Sequence, residues 1–274
     1  MLGRYTRATA LLEVVMIAVT LVFFFPLFIL VMTAFKKAND QGSSLELPRE
    51  FTLENFGIAW TQGHLGNALV NSATVSVLSV ILLIVFSSLA AYPLARITRA
   101  WSKVAYFTFL IGLLLPFQLA LIPLYQTMRD LGLLGTIWAL VIFYVGLQMP
   151  FSIFLYTGFL RALPTEYEEA ASIDGANLWS LFWRVLFPLL RPITGTVAIL
   201  NVITIWNDFL TPLLYLSGSG QQTVPVALFA FVGQYVSQWN VVFAGLIISI
   251  APILIAYFAL QRTVIQGFAS GLKG

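Results

Sequence analysis

The sequence predicts an all-α membrane protein with six transmembrane helices. Of its 274 residues, 59% are apolar and 9% are charged, whereas soluble domains carry about 25% charged residues. The apolar residues form long stretches, and a helix of about 20 such residues crosses a bilayer. The alternating strands of about ten residues that form a membrane β-barrel do not occur in the sequence. We therefore expect a single helical domain that comprises residues 1–274.

The predicted spans follow one another along the whole chain and cover residues 13–35, 68–95, 104–126, 136–160, 190–215 and 240–261. The first span is too long for a removable signal peptide and lacks the small-residue cleavage pattern, so we expect it to remain as an anchor. Prolines in or at the ends of the spans remove helix hydrogen bonds and can kink the helices. Such kinks could serve gating, or they could only determine the shape of the helix bundle. They are Pro26, Pro93, Pro116, Pro123, Pro150, Pro212 and Pro252.

The positions of the lysines and arginines predict the orientation in the membrane. With the N-terminus in the cytoplasm, ten of the 14 basic residues fall in inner segments and four in outer segments. Cytoplasmic segments are the ones enriched in Lys and Arg. We therefore expect both termini and residues 161–191 to be cytoplasmic, with outer loops at 36–67, 127–135 and 216–239.

Residues 161–191, here called the charged segment, interrupt the apolar sequence with seven charged side chains: Arg161, Glu166, Glu168, Glu169, Asp174, Arg184 and Arg191. Two short helices are predicted. Pro164 suits the first position of one helix, and Gly175 can end it in a left-handed conformation. Asn177 can cap the second helix, which Pro188 would terminate near its far end.

The residues that carry most enzymatic and metal chemistry are scarce. The chain has no cysteine, and its one histidine is His64, which makes disulfides, thiolate metal sites and histidine metal sites poor hypotheses. The phosphate-binding sequence G-x-x-x-x-G-K-[ST] is missing. A net charge of +3 gives little reason to expect a nucleic-acid partner. We expect no catalytic, metal-binding or cofactor-binding residues in this chain.

The charged segment resembles the EAA loop of ATP-binding-cassette (ABC) importer permeases. The resemblance is carried by Glu169-Ala170-Ala171, then Gly175, then Val185-x-Phe187-Pro188, although Val185 and Phe187 replace the common isoleucine and leucine. Further stretches resemble the smaller permease of maltose-type sugar importers: Arg161–Pro164, Trp206–Phe209, and the ending Gln261-Arg262 with Gly267–Gly274.

This resemblance implies a type I ABC importer permease fold in a bacterial or archaeal cytoplasmic membrane, surrounded by lipid. It implies four further components: a second, different permease, two ATPase subunits or a homodimeric ATPase, and an extracytoplasmic solute-binding protein or lipoprotein. ATP and Mg would be bound by the ATPase partners. The implied function is import of a sugar or oligosaccharide by alternating access. Alternatives are another polar solute such as a glycerophosphodiester, or an ion-coupled secondary transporter.

The candidate ATPase-coupling residues all come from the charged segment. Small side chains let another backbone approach closely, and a carboxylate can form charge-assisted hydrogen bonds to a donor in a partner's groove. The alternative is a solvated amphipathic linker. The candidates are Glu169, Ala170, Ala171, Asp174, Gly175 and Pro188.

Polar residues at membrane depth are the candidates for the substrate pathway. Amides can bond sugar hydroxyls and an aromatic ring can lie against a sugar's apolar face, but such groups also serve as hydrogen bonds between helices. Asp208 can line the mouth of a cavity, pair with the partner permease or cap local structure. The candidates are Gln148, Asn201, Thr204, Trp206, Asn207 and Asp208.

Two further segments have roles that only the resemblance implies. Ser217, Gly218, Ser219 and Gly220 form a polar outer loop that would contact the binding protein, or would be an ordinary connector. Gly271, Lys273 and Gly274 would reach the ATPase, or would form a frayed terminus.

Overall fold

The computed structural model describes residues 7–37, 40, 42–43, 45–232 and 238–271. Lys273 and Gly274, the last residues of the candidate tail, lie outside these ranges. The described chain consists mainly of helices and loops, and an isolated antiparallel bridge joins Lys36 to Phe51. The helices are α1 (Arg7–Ala34), α2 (Glu54–Thr61), α3 (Leu65–Arg96), α4 (Ala100–Leu114), α5 (Leu121–Asp130), α6 (Ile137–Ala162), α7 (Glu166–Ile173), α8 (Leu178–Ser180), α9 (Phe187–Leu189), α10 (Arg191–Asn207), α11 (Leu210–Tyr215), α12 (Val224–Phe229) and α13 (Trp239–Gly271).

Within the described residues, three helices are long and apolar enough to cross a membrane without a break. They are α1, α3 and α6, which correspond to the first, second and fourth predicted spans. The sixth predicted span lies in α13, where Trp239–Ile255 is apolar. A helix that is apolar on all sides, as α1 is, suits a lipid environment rather than a soluble core.

The third and fifth predicted spans are not single straight helices. The chain bends by 91° between α4 and the segment Phe117–Asp130. Leu115 and Pro116 are both extended there. Leu115 avoids the helical conformation because it precedes a proline. The fifth span ends early: α10 stops at Asn207, Asp208 is extended, and α11 follows.

The described residues group into two compact units. The first contains Met1–Gly66 and Ala227–Ile250. Its buried polar centre is Asn55, whose amide donates to the carbonyls of Ala34 and Lys36, at 2.7 Å each, and accepts from the Asn240 amide at 2.7 Å. These bonds join the end of α1, the start of α2 and the start of α13.

The second unit contains Asn67–Val226 and Ala251–Gly274. Helix α6 packs against α4, α10 and α11. One apolar cluster surrounds Phe143, Tyr144 and Tyr215, and another surrounds Tyr156, Leu160 and Leu190. A helix that packs on several sides fixes its neighbours, so α6 positions both the charged segment that follows it and the polar residues of α10.

Candidate functional site

The first half of the charged segment is a short capped helix. Helix α7 begins at Glu166 rather than at Pro164, because Thr165 supplies the first carbonyl that accepts helical hydrogen bonds. The helix ends at Ile173, and Gly175 follows with a φ of +79°, so the predicted left-handed conformation is confirmed. The N–H of Ala176 then donates to the Ala171 carbonyl at 3.0 Å, which completes a typical helix ending.

The second half contains a wider helical turn that the sequence did not predict. The Asn177 side chain accepts from the Ser180 N–H at 2.8 Å, so the predicted cap is confirmed. Residues Leu181–Leu186 form a π-helical turn, and the helical run ends at Leu189, one residue beyond Pro188. The chain bends by 74° before α10.

The candidate coupling residues lie mostly on the exposed side of this structure. Glu169, Ala170, Asp174 and Gly175 are exposed, Pro188 is partly buried, and Ala171 is buried. Ala171 packs in an apolar cluster with Leu181, Phe182 and Leu186. It therefore packs the two halves of the charged segment against each other.

Large exposed apolar side chains lie close in sequence to the exposed candidates. Ile173 is 85% exposed, Leu178 74% and Trp179 68%, and Tyr167 is also exposed. Exposed apolar groups beside polar ones are typical of an interaction site or a membrane contact. We define the coupling surface as these side chains together with the exposed candidates: Tyr167, Glu169, Ala170, Ile173, Asp174, Gly175, Leu178 and Trp179. The apolar members were missed because a sequence pattern alone does not show which side of a short helix is covered.

Glu168 attaches the charged segment to α3. Its Oε1 accepts from Arg96 Nε at 2.6 Å and its Oε2 accepts from the Tyr92 hydroxyl at 3.1 Å. Arg96 also donates through Nη2 to the Leu163 carbonyl at 3.0 Å. The side chains of Arg96 and Glu168 are only 16% and 14% exposed. No sequence pattern predicts this contact, because its partners belong to different predicted segments.

The six candidate pathway residues do not come together. Asn201 and Trp206 face the interior of the second unit and are 1% and 7% exposed. Asn201 donates to Val197 O at 2.8 Å and to Ser152 Oγ at 3.3 Å. Thr204 and Asn207 lie on the exposed side of α10, and each donates to a carbonyl of its own helix. Gln148 is partly buried on α6.

Asp208 fixes the local structure between α10 and α11. Its Oδ1 accepts from the Leu210 N–H at 3.1 Å, and its Oδ2 accepts from the Tyr144 hydroxyl at 2.9 Å. Of the three alternatives for this residue, the geometry favours local capping. Tyr144 was missed because it precedes Asp208 by 64 residues.

The outer loop forms a hydrogen-bonded turn. Gly218 and Gly220 have φ values of +77° and +72°, and Ser219 Oγ donates to Leu216 O at 2.7 Å and accepts from the Gln221 N–H at 3.1 Å. The exit of the loop is bonded to α3. Asn71 donates to Gln222 O at 3.1 Å, and Ser72 Oγ accepts from the Val224 N–H at 2.9 Å.

Two further features of the candidate site are the possibility of a metal ion and the position of the tail. Among the described residues, no three histidine or acidic side chains stand close enough together to hold a metal ion. Helix α13 continues to Gly271, the one candidate tail residue that the structure includes.

Residues 84–269 match the family described as binding-protein-dependent transport system inner membrane component. A relative from Thermoanaerobacterium thermosulfurigenes, named "Probable starch degradation products transport system permease protein", is 36% identical over 256 residues, 93% of each chain. The melibiose/raffinose/stachyose import permease protein of Bacillus subtilis (strain 168) is 34% identical over 271 residues, 98% of each chain.

The fold also matches a solved structure, that of a bacterial ABC transporter involved in the import of the acidic polysaccharide alginate. The TM-score is 0.81 at 23% identity, and the match covers 95% of this chain and 99% of that chain. The predicted permease fold is thereby confirmed. Because the family model covers more than half of the sequence and two relatives match nearly all of it, this chain belongs to the family of binding-protein-dependent transport system inner membrane components.

Proposed function

We propose that this chain is the permease subunit of an ABC importer that moves a sugar or oligosaccharide across the cytoplasmic membrane. The observation that carries the proposal is the match, over more than nine-tenths of each chain, to permeases named for starch products and for melibiose, raffinose and stachyose. Transport would proceed by alternating access, in which the bundle opens to one side of the membrane at a time. Partner ATPases would bind ATP and Mg and hydrolyse the ATP.

The coupling surface is the proposed contact with an ATPase subunit. Its small residues Ala170 and Gly175 leave room for a neighbouring backbone. The carboxylate of Glu169 is exposed, and the one bond that it accepts from the described residues comes from the Thr165 hydroxyl at 3.3 Å, so it can face a donor. The exposed apolar side chains would be buried by docking. Rotation of the ATPase would then move the bundle as a rigid body.

The substrate pathway is proposed along the exposed side of α10. Thr204 and Asn207 are the polar residues there, and both retain acceptor capacity for a sugar hydroxyl after bonding their own helix. Gln148 on α6 remains a candidate. Asn201, Trp206 and Asp208 are engaged in packing or capping, so we assign them a structural role.

The remaining proposed partners are a second, different permease and an extracytoplasmic binding protein. The loop Ser217–Gly220 is proposed to contact the binding protein. Its paired left-handed glycines hold a fixed turn, and a preformed turn loses little conformational entropy on docking. The experiment described next tests sugars together with the alternative solute, a glycerophosphodiester.

The test is to purify the chain with its natural partners and reconstitute the complex in proteoliposomes. ATP hydrolysis and uptake are measured with binding protein that is empty or loaded with each of a panel of oligosaccharides, or with a glycerophosphodiester. We expect stimulation of both activities by at least one loaded oligosaccharide. Stimulation only by the diester would reassign the solute. Uptake in ATP-depleted vesicles that depends on a proton gradient would support the ion-coupled alternative instead.

A further inference from the structure

Helix α3 is bonded at its two ends to two segments that are far apart in the sequence. One end contacts the charged segment and the other contacts the exit of the outer loop. All of these residues belong to the second compact unit. The two segments are the ones to which the proposed function assigns the ATPase and the binding protein, so the inference below rests on that proposed function.

The C-terminal end of α3 presents one face to the charged segment. Leu89, Tyr92 and Arg96 are spaced by three and four residues, which places them on the same side of a helix. Leu89 and Tyr92 pack in the apolar cluster of the charged segment, and the rings of Tyr92 and Phe182 are 6.1 Å apart. Arg96 and Tyr92 both bond Glu168. The helix therefore contacts both halves of the charged segment.

The carboxylate of Glu168 bridges a weak point in α3. Pro93 lies between Tyr92 and Arg96 and cannot donate a helical hydrogen bond, so the last turn would be free to hinge there. One oxygen of Glu168 bonds the residue before Pro93 and the other bonds a residue after it. The carboxylate thus holds the last turn in line with the rest of the helix.

The N-terminal end of α3 holds the exit of the outer loop. Ser72 is 3% exposed, and its hydroxyl accepts from the Val224 N–H at 2.9 Å. The neighbouring Asn71 amide donates to the Gln222 carbonyl at 3.1 Å. These bonds would carry a displacement of the loop directly into the first turns of α3.

The middle of α3 is buried in an apolar cluster of the second unit. Val75, Val80 and Leu83 are buried in the same cluster as Leu140 and Tyr144 of α6. The distance along the axis from Ser72 to Arg96 is about 36 Å at 1.5 Å per residue. A closely packed helix of this length moves as a unit instead of absorbing a shift locally.

We propose that α3 transmits the state of the outer loop to the coupling surface, through the Asn71 and Ser72 bonds at one end and the Arg96–Glu168 ion pair at the other. Arg96, Glu168, Asn71 and Ser72 are positioning residues in this scheme. Loaded binding protein on the loop biases the position of α3, and the ion pair carries that bias to the ATPase-facing helix α7.

The test uses the complete complex in proteoliposomes and compares ATP hydrolysis with and without loaded binding protein. The variants are Glu168→Gln, the pair Asn71→Ala/Ser72→Ala, and all three together. Glu166→Gln, on the exposed side of α7, and Val70→Ala, on the exposed side of α3, are the matched controls. Subunit stoichiometry and affinity for the binding protein are measured for each complex, so that loss of assembly is recognised.

We expect each end variant to lose about tenfold in stimulation, within the range of five- to 150-fold typical of coupling between sites, with basal hydrolysis and assembly retained. The combined variant should lose no more stimulation than the more severely affected of the two end variants. Distant sites that act independently multiply their effects within about a factor of two, so multiplied losses would overturn the proposal. Unchanged stimulation in the loop variant would also overturn it, even if Glu168→Gln fails to assemble. A wild-type complex without any stimulation would instead refute the proposed function.

Discussion

The guanidinium of Arg96 and the carboxylate of Glu168 meet at 2.6 Å, although 72 positions separate them in the sequence. Their side chains are mostly shielded from water, and a shielded charge that loses its partner is costly. A second ion pair, Lys37 with Glu50, is largely exposed. The two pairs therefore permit a direct comparison of shielded and solvated charges in one molecule.

The first prediction is that Arg96→Ala lowers the free energy of unfolding by about 3 kcal/mol, the lower end of the range for breaking a buried pair. The variant leaves the Glu168 carboxylate without its cation and the Leu163 carbonyl without its donor. The measurement is thermal unfolding of the purified chain in detergent. Lys37→Ala is the control and should leave Tm unchanged. Equal shifts for the two variants would contradict the argument.

The second prediction concerns Gly175, where φ is +79° and the space that a Cβ would occupy is open. Within this chain, any cost of substitution there is conformational, about 1–2 kcal/mol for a left-handed residue. ATP hydrolysis stimulated by binding protein should fall in the order Gly, Asn, Ala, Val, because asparagine tolerates this conformation best. Gly158→Ala in α6 is the control: its Cβ also meets nothing, and its φ is not left-handed. That variant should retain stimulation, and a loss equal to that of Gly175→Ala would refute the conformational explanation.

The third prediction is that Tyr144→Phe and Asp208→Asn act on the same contact. Each removes or weakens the 2.9 Å bond between hydroxyl and carboxylate, and a hydrogen bond to a charged group contributes about 1.5–3 kcal/mol. Their effects on Tm should therefore be less than additive in the double variant. If Asp208→Asn instead raises KM for the sugar without lowering Tm, Asp208 belongs to the pathway and the capping assignment is wrong.

The fourth prediction concerns pH. The backbone N–H of Gly42 donates to Asp40 Oδ1 at 2.9 Å, and this bond, with a second from the Arg49 N–H, holds the pKa of Asp40 below its ordinary value of 3.8. A depressed pKa stabilises the folded segment above the unfolded pKa, and that stabilisation is lost as pH falls through the folded pKa. Protease cleavage near residues 45–50 should therefore increase below about pH 4. In Asp40→Asn this acid dependence should disappear, and its persistence would assign it to another group.

The helix caps of the charged segment were predictable because each depends on one residue and its neighbours. Gly175 and Asn177 adopt the conformations that their side chains favour in any protein. The ion pair was not predictable, because Arg96 and Glu168 meet only after α3 and α6 have packed. The sequence supplies the charges, but the tertiary fold selects the partner.

The pathway residues of α10 show why the buried and exposed sides of a helix are hard to predict in a membrane protein. In a soluble helix, polar residues mark the exposed side, but here apolar residues occur on both sides of the helix. Asn201 and Thr204 are one turn apart, yet one is buried and the other exposed. The break at Leu115 and Pro116 was signalled by the proline, whereas its 91° angle depends on the packing of the neighbouring helices.

The amide of Asn55, which donates to the carbonyls of Ala34 and Lys36, fixes the C-terminal end of α1. An insertion in α1 that leaves that end in place displaces the residues before it along the helix axis, by about 1.5 Å per residue. Conservative apolar exchanges within α1 should be tolerated widely, whereas changes in its length should not. One asparagine from a neighbouring helix thus holds the C-terminal end of α1 in place.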